Sequence, residues 1–247
     1  MNVRVRIPMK TIILFGASST IAQAYVQHIN DQPIQFNIVC ISASELPSST
    51  TEAQYTTDYS SASLTSIINS LKKQQIELHQ VVIFNGQLHY QQNMPEKKLE
   101  DLESDYFNQL MTSNTLTPLL CLQSLLPLLK NKTQCTITAL SARVGSINDN
   151  KLGGWYSYRA SKAALNMLFQ TAAIELARRA KNTKLIVFHP GTTDTELSKP
   201  FQRNVPEGKL FTPAFVAERL YELTNNRNIE FNGESDYIDW KGDSIAW

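Results

Sequence analysis

The sequence predicts an α/β fold, a doubly wound parallel sheet in a single domain, and two observations carry that expectation. Five short, continuous apolar runs rich in β-branched residues alternate with longer stretches of helical periodicity. The chain has 247 residues, 42% hydrophobic and 18% charged, which is enough for one sizeable core but close to the upper limit for one. Continuous apolar strands separated by amphipathic helices imply right-handed crossovers and a sheet buried on both faces.

In chain order, the expected strands are Thr11–Phe15, Phe36–Ile41, Gln80–Phe84, Cys135–Leu140 and Lys184–Phe188, each bounded by turn residues. The helical separators read as Thr20–Asn30, Leu64–Gln75, Leu102–Leu129 and Trp155–Ala180. A helix at Pro213–Leu223 is opened by a proline suited to a first turn, and a weak last strand is expected at Asp236–Trp240. Residues 1–9 are expected to form an N-terminal extension without the pattern of a signal peptide, and residues 10–247 the domain.

Charge and cysteine usage narrow the function. Twenty-three Lys and Arg against 22 Asp and Glu leave a net charge of +1, so no broad field favours a nucleic acid or an acidic membrane. The apolar runs are far shorter than the roughly 20 residues that span a bilayer. The three cysteines, Cys40, Cys121 and Cys135, form no C-x-x-C pair and lie in apolar stretches, so reduced, buried thiols and a cytoplasmic location are expected. No metal site is expected, because His28, His79, His89 and His189 show no ligand spacing.

In open parallel sheets, ligands bind beyond the carboxyl ends of the strands near the topological switch point. The first such loop is FGASSTIA, Phe15–Ala22. Gly16 can make the tight turn while the following helix N-terminus faces a phosphate, although a Gly-Ala-Ser-Ser turn also serves as a plain helix cap. Further along, YRASKAALNM places Tyr158 and Lys162 one helical turn apart on the same face. A free phenol titrates near ~10, so proton transfer at neutral pH needs about 4 kcal/mol of phenolate stabilisation, which a neighbouring ammonium can help supply. The same spacing also occurs as an ordinary surface pair. Tyr156 competes as a phenol but has Ala160, not a lysine, four residues on.

Together these segments resemble the short-chain dehydrogenases/reductases, a Rossmann-fold family, over about Lys10 to Trp247. The first loop is similar to the family's TGxxxGxG with only the first glycine kept; Thr20 and Ala22 stand at the other two positions. The resemblance implies that Gly16, Ser18, Ser19, Thr20 and Ile21 wrap a cofactor pyrophosphate. IFNG, with Asn85 and Gly86, resembles the family's NNAG, and NTLTPLL resembles the segment whose asparagine, here Asn114, supports a proton relay. A mid-helix amide of this kind can hold the backbone open around a water or make an interhelical hydrogen bond. The family's serine aligns with Ala142, leaving Ser141 as the candidate hydroxyl and Ser146 as a further one. HPGTTDT resembles the PG-x-x-x-T segment over the nicotinamide, implicating Pro190, Gly191, Thr193 and Thr195.

The cofactor expected on this resemblance is NADP, with NAD as the alternative. Just beyond the second strand, CISAS offers Ser42 and Ser44 without an acid to repel a 2′-phosphate, and Asp58 resembles the adenine-contacting Asp. The motifs look most like the C-factor-like and sniffer-like carbonyl reductases. The implied function is hydride transfer between NAD(P) and a small carbonyl or alcohol substrate, with Tyr158 as general acid/base, tuned by Lys162. The alternative is a cofactor-binding regulatory or signalling protein with vestigial catalysis, motivated by Ala142 and Thr20. A substrate lid is expected over about 196–212, with Phe201, Val205, Leu210 and Phe211 as apolar walls, and family analogy implies a homodimer or homotetramer.

Overall fold

A computed structural model of the chain describes residues 9–46, 53–90, 92–129, 133–225 and 229–247. The expected N-terminal extension therefore lies, but for Met9, outside the described residues.

The main sheet runs β3 (Ala53–Thr56), β2 (Asn37–Ser42), β1 (Lys10–Phe15), β4 (Glu77–Ile83), β5 (Cys135–Leu140), β6 (Thr183–His189) and β9 (Asp236–Asp239), with every pairing parallel. The chain builds outward from β1 in one direction, then returns to β4 on the other side, so the switch point lies between β1 and β4. Side chains alternate across each strand. Ile12 and Leu14 pack with Val26 of α1 (Thr20–Asn30) and Leu220 of α6 (Pro213–Asn225), whereas Ile13 and Phe15 pack with residues of three helices on the opposite face. Those helices are α2 (Ser61–Lys73), α4 (Thr117–Leu125) and α5 (Tyr156–Arg179). Two short strands, β7 (Thr192–Thr193) and β8 (Leu210–Phe211), form a separate parallel pair after β6.

The long helix expected over Leu102–Leu129 is divided. It comprises α3 (Ser104–Met111), a π-helical turn (Thr112–Leu116) and α4. Pro118 has no amide hydrogen to offer the Asn114 carbonyl one turn back, and the backbone widens so that the Thr117 N–H reaches Thr112 O, five residues back. Strand β4 begins three residues before the expected Gln80, because the polar residues that hid its start find partners. The buried Gln80 accepts from Tyr25 Oη (2.7 Å) and donates to Thr224 Oγ1 (2.6 Å), and His79 pairs with Asn225. Helix α2 begins at Ser61, earlier than the expected Leu64, because Ser60 caps it through the Ser63 N–H.

Candidate active site

The loops after β1, β4, β5 and β6 meet at the carboxyl edge of the sheet. Gly16 turns the chain into α1 with φ +67°, and a β-carbon there would lie 2.9 Å from Asn85 N. Only glycine fits this approach. Ser19 caps α1, accepting from Ala22 N at 3.2 Å, so its hydroxyl is committed to the helix. Ser18 and Thr20 are exposed at the same end and Ile21 is half-buried.

Tyr59, which the sequence reading missed, closes the floor beside this loop. It has a left-handed φ of +60°, and its hydroxyl accepts from Gly16 N at 2.8 Å. Burial pushes its phenol above the ordinary range. Nothing in the periodicity marks it, because its role comes from a turn conformation that short-range pattern does not encode. Its neighbour Asp58 is exposed, and hydrogen bonding from the Ser60 side chain and from Ser60 N (2.9 Å) lowers its pKa. Ser42 corrects an expectation: it is buried, and its hydroxyl accepts from Ser44 N at 3.3 Å, so the exposed hydroxyl beyond β2 is Ser44's. Glu45, also exposed, adds a carboxylate just past the segment that showed neither sign of charge.

The catalytic candidates converge on α5. Tyr158 and Lys162 are both buried, and the lysine Nζ lies 5.9 Å from the phenol ring centroid. Lys162 donates to Leu140 O at the end of β5 (2.9 Å), and burial lowers its pKa to about 7. Burial pushes the Tyr158 phenol upward, with Tyr237 and Tyr106 adding to the effect. The expected acidification by a nearby ammonium is thus not met by the chain alone, because desolvation disfavours both charged forms.

Asn114 sits fully buried in the π turn. Its amide pairs with the Gln87 backbone in both directions, accepting from N (2.6 Å) and donating to O (2.8 Å), and also donates to Ser161 Oγ on α5 (3.0 Å). The interhelical bond is thus made, and it is made from within the widened π turn. Gly86 lies so close that a β-carbon would stand 3.2 Å from Lys162 Nζ and 3.4 Å from Asn114 Oδ1. Asn85, just before it, has a buried Oδ1 with no hydrogen-bond partner.

The Ser141 hydroxyl, the expected candidate, is engaged elsewhere. The residue is buried, and its Oγ donates to Asn166 Oδ1 on α5 at 2.6 Å. The half-buried Ala142 methyl instead packs into the cluster around Tyr158, with Leu88, Tyr106, Leu110, Val144, Trp155 and Phe201. Neighbouring residues at a strand end point to opposite sides, which is why Ser141 and Ala142 meet different surroundings. Ser146 is also buried, accepting from Asp149 N at 3.1 Å.

After β6, Pro190 and Gly191 turn the chain toward β7, and Gly191 is packed against the Phe211 ring and Trp240. Burial lowers His189 to about 4, so its ring is neutral; its Nδ1 and Thr193 Oγ1 are buried without partners. Thr195 is half-buried, and its hydroxyl faces Thr193 O at 3.4 Å. Of the four expected lid walls, Phe201 reaches the site, its ring 5.1 Å from Trp155, which itself meets Tyr158 edge-on at 6.1 Å. Phe211 packs the other way, onto Trp240 and Phe215, because β8 pairs with β7; Leu210 is exposed. Among the described residues there is no grouping of His, Cys, Asp and Glu that could hold a metal ion, and no helix long and apolar enough to cross a membrane.

A family model described as short chain dehydrogenase matches residues 10–206. The chain belongs to that family of oxidoreductases. A Rhodococcus 1-hydroxy-2-glutathionyl-2-methyl-3-butene dehydrogenase is 27% identical over 97% of this chain and its own whole length. The C-signal protein of Myxococcus xanthus is 29% identical over 60% of this chain and 83% of its own. In structure, the NADPH-bound carbonyl reductase from chicken fatty liver superposes with a TM-score of 0.77 at 20% identity, covering 97% of this chain and 95% of that one. That likeness establishes the shared Rossmann fold.

Proposed function

We propose that the chain is an NADP-dependent reductase of apolar, preferably aryl, carbonyl compounds. One observation carries this reading: a phenol and an amine, Tyr158 and Lys162, are buried side by side on α5 at the carboxyl edge of the sheet. The crevice fits a nicotinamide dinucleotide. Along it lie three buried polar atoms without partners, Asn85 Oδ1, His189 Nδ1 and Thr193 Oγ1, and the Gly16 turn presents backbone at a helix N-terminus. Gly16, Ser18, Ser19, Thr20 and Ile21 would surround the pyrophosphate, Ser44 and Asp58 would border the adenosine, and Asn85, Gly86, Pro190, Gly191, Thr193 and Thr195 would line the rest. The exposed Ser44 hydroxyl and the NADPH carried by the chicken enzyme support NADP.

Bound there in reduced form, the dinucleotide supplies a hydride. The Tyr158 hydroxyl would donate the proton to the developing alkoxide, and Lys162 and Asn114 would hold the phenol's surroundings and help return a proton from solvent to the phenolate. Trp155, Phe201 and Tyr106 enclose the phenol with apolar surface and exclude water, favouring a flat, apolar carbonyl. Incubation with NADPH or NADH and a panel of aldehydes, aryl ketones and diketones, read by alcohol formation, tests the reading. Reduction of aryl carbonyls with NADPH is expected, and an unreduced panel would overturn it.

A second reading, cofactor binding with only vestigial turnover, is favoured by the hydroxyl missing at Ala142. Ala142→Ser distinguishes the two. In a working reductase the added donor raises kcat by about tenfold, short of the roughly 10²–10³ that a fully preorganised donor supplies; a protein built for binding alone shows no gain.

A further inference from the structure

We propose that Glu96 is a positioning residue for the Tyr158 phenol, acting as the N-terminal cap of α5 from a distant segment of the chain; the proposal rests on the reductase reading above. Helix α5 has an abnormal start. Its N-cap residue, Trp155, takes a left-handed conformation (φ +55°) and offers no side-chain cap, whereas an N-cap is ordinarily extended and supplies a side-chain oxygen. Glu96 provides what is missing. Its carboxylate accepts from Ser157 N at 3.2 Å on both oxygens and from Ser157 Oγ, and its backbone carbonyl accepts from Trp155 N at 2.6 Å.

One buried residue, 61 positions upstream of Ser157, therefore grips both sides of the turn immediately before Tyr158. Among the described residues no Lys, Arg or His forms an ion pair with this carboxylate. Its burial is tolerated because Ser157 supplies the donors and because an anion is favoured at a helix N-terminus. The grip is itself braced. Asp101 Oδ2 accepts from the next two amides, Lys97 N (3.2 Å) and Lys98 N (3.3 Å).

The consequence reaches the site through Trp155. Holding its backbone left-handed sets its ring edge-on to Tyr158 and against Phe201. Releasing the clamp lets the first turn of α5 relax toward an ordinary cap, shifting both the phenol and the indole beside it. Small shifts of a reacting group act on the chemical step more than on binding of a cofactor held elsewhere in the crevice.

The test compares Glu96→Gln and Ser157→Ala with the wild-type full chain. It reads kcat, KM for an aryl ketone, NADPH affinity by fluorescence, and hydrogen exchange of residues 153–160 by mass spectrometry. Glu96→Gln is expected to lower kcat about tenfold with KM within about twofold and NADPH affinity unchanged. Exchange protection should fall in 153–160 but not in the rest of α5. Ser157→Ala, which removes one bond only, should show a smaller version of the same pattern. Unchanged protection of 153–160 in Glu96→Gln overturns the proposal whether or not any ketone is reduced. So does an unchanged kcat, or a loss of NADPH affinity as large as the loss of kcat. Lost protection in a chain whose wild type reduces no carbonyl supports the clamp and contradicts only the reductase reading.

Discussion

Lys162 carries a pH dependence whose sign is fixed by its surroundings. Burial lowers its pKa from the ordinary 10.5 to about 7. Below pH 7 the folded and unfolded chains both hold the proton, so the full cost of burying an ammonium is present. Between about 7 and 10.5 the folded protein has released a proton that the unfolded chain retains, and stability rises with pH. Thermal unfolding of wild type and Lys162→Met across that window is expected to show a wild-type midpoint climbing relative to the variant, and parallel curves would contradict the burial argument. At this scale the sequence revealed Tyr158, Lys162, Gly16 and Asn114, because each belongs to a local motif. It did not reveal Tyr59 or Glu96, whose roles depend on partners 43 and 61 residues away. Nor did it show that the Ser141 hydroxyl turns to Asn166, since a one-residue ambiguity at a strand end is decided by which face the helix covers.

At the scale of elements, the π turn ties the catalytic helix to the loop after β4. Asn114 bonds Gln87 on that loop and Ser161 on α5, and the Thr115 hydroxyl donates to Ser161 O at 2.7 Å. Asn114→Ala leaves the half-buried Gln87 N–H and C=O without this partner, while Ser161 Oγ keeps its bond to Tyr158 O, and each unsatisfied backbone group costs about 1–3 kcal/mol. Urea unfolding should register a loss of roughly 2–5 kcal/mol, and a loss below about 1 kcal/mol would show that the turn is held by other contacts. The break at this point was readable in principle from Pro118, yet apolar periodicity runs through it, and periodicity alone does not report a missing amide hydrogen. Strand cores were legible throughout, whereas their polar ends, as in β4, needed the tertiary partners of Gln80 and His79 to be recognised.

On the scale of the whole molecule, the alternation of runs was sufficient for the parallel, doubly wound sheet, because crossover handedness and burial leave few other arrangements. Assembly is a property the same surface suggests. Met167 and Ile174 on α5 are 65% and 50% exposed, and Leu116 on the adjoining π turn is 48% exposed. An apolar face of this kind is expected to pair with a second copy, giving a homodimer or homotetramer. Sedimentation should show the oligomer in wild type and its dissociation in Met167→Glu/Ile174→Glu; a wild-type monomer at micromolar concentration would contradict it.

The central claim is that the Tyr158 hydroxyl supplies the proton in a nicotinamide-linked reduction. Comparing wild type with Tyr158→Phe, with NADPH binding followed by fluorescence and alcohol formation by mass spectrometry in the same samples, tests it most directly. The expected result is unchanged NADPH binding with turnover lowered by at least about a hundredfold, the lower range of general acid catalysis. Turnover that survives in Tyr158→Phe within a factor of about two would contradict the assignment.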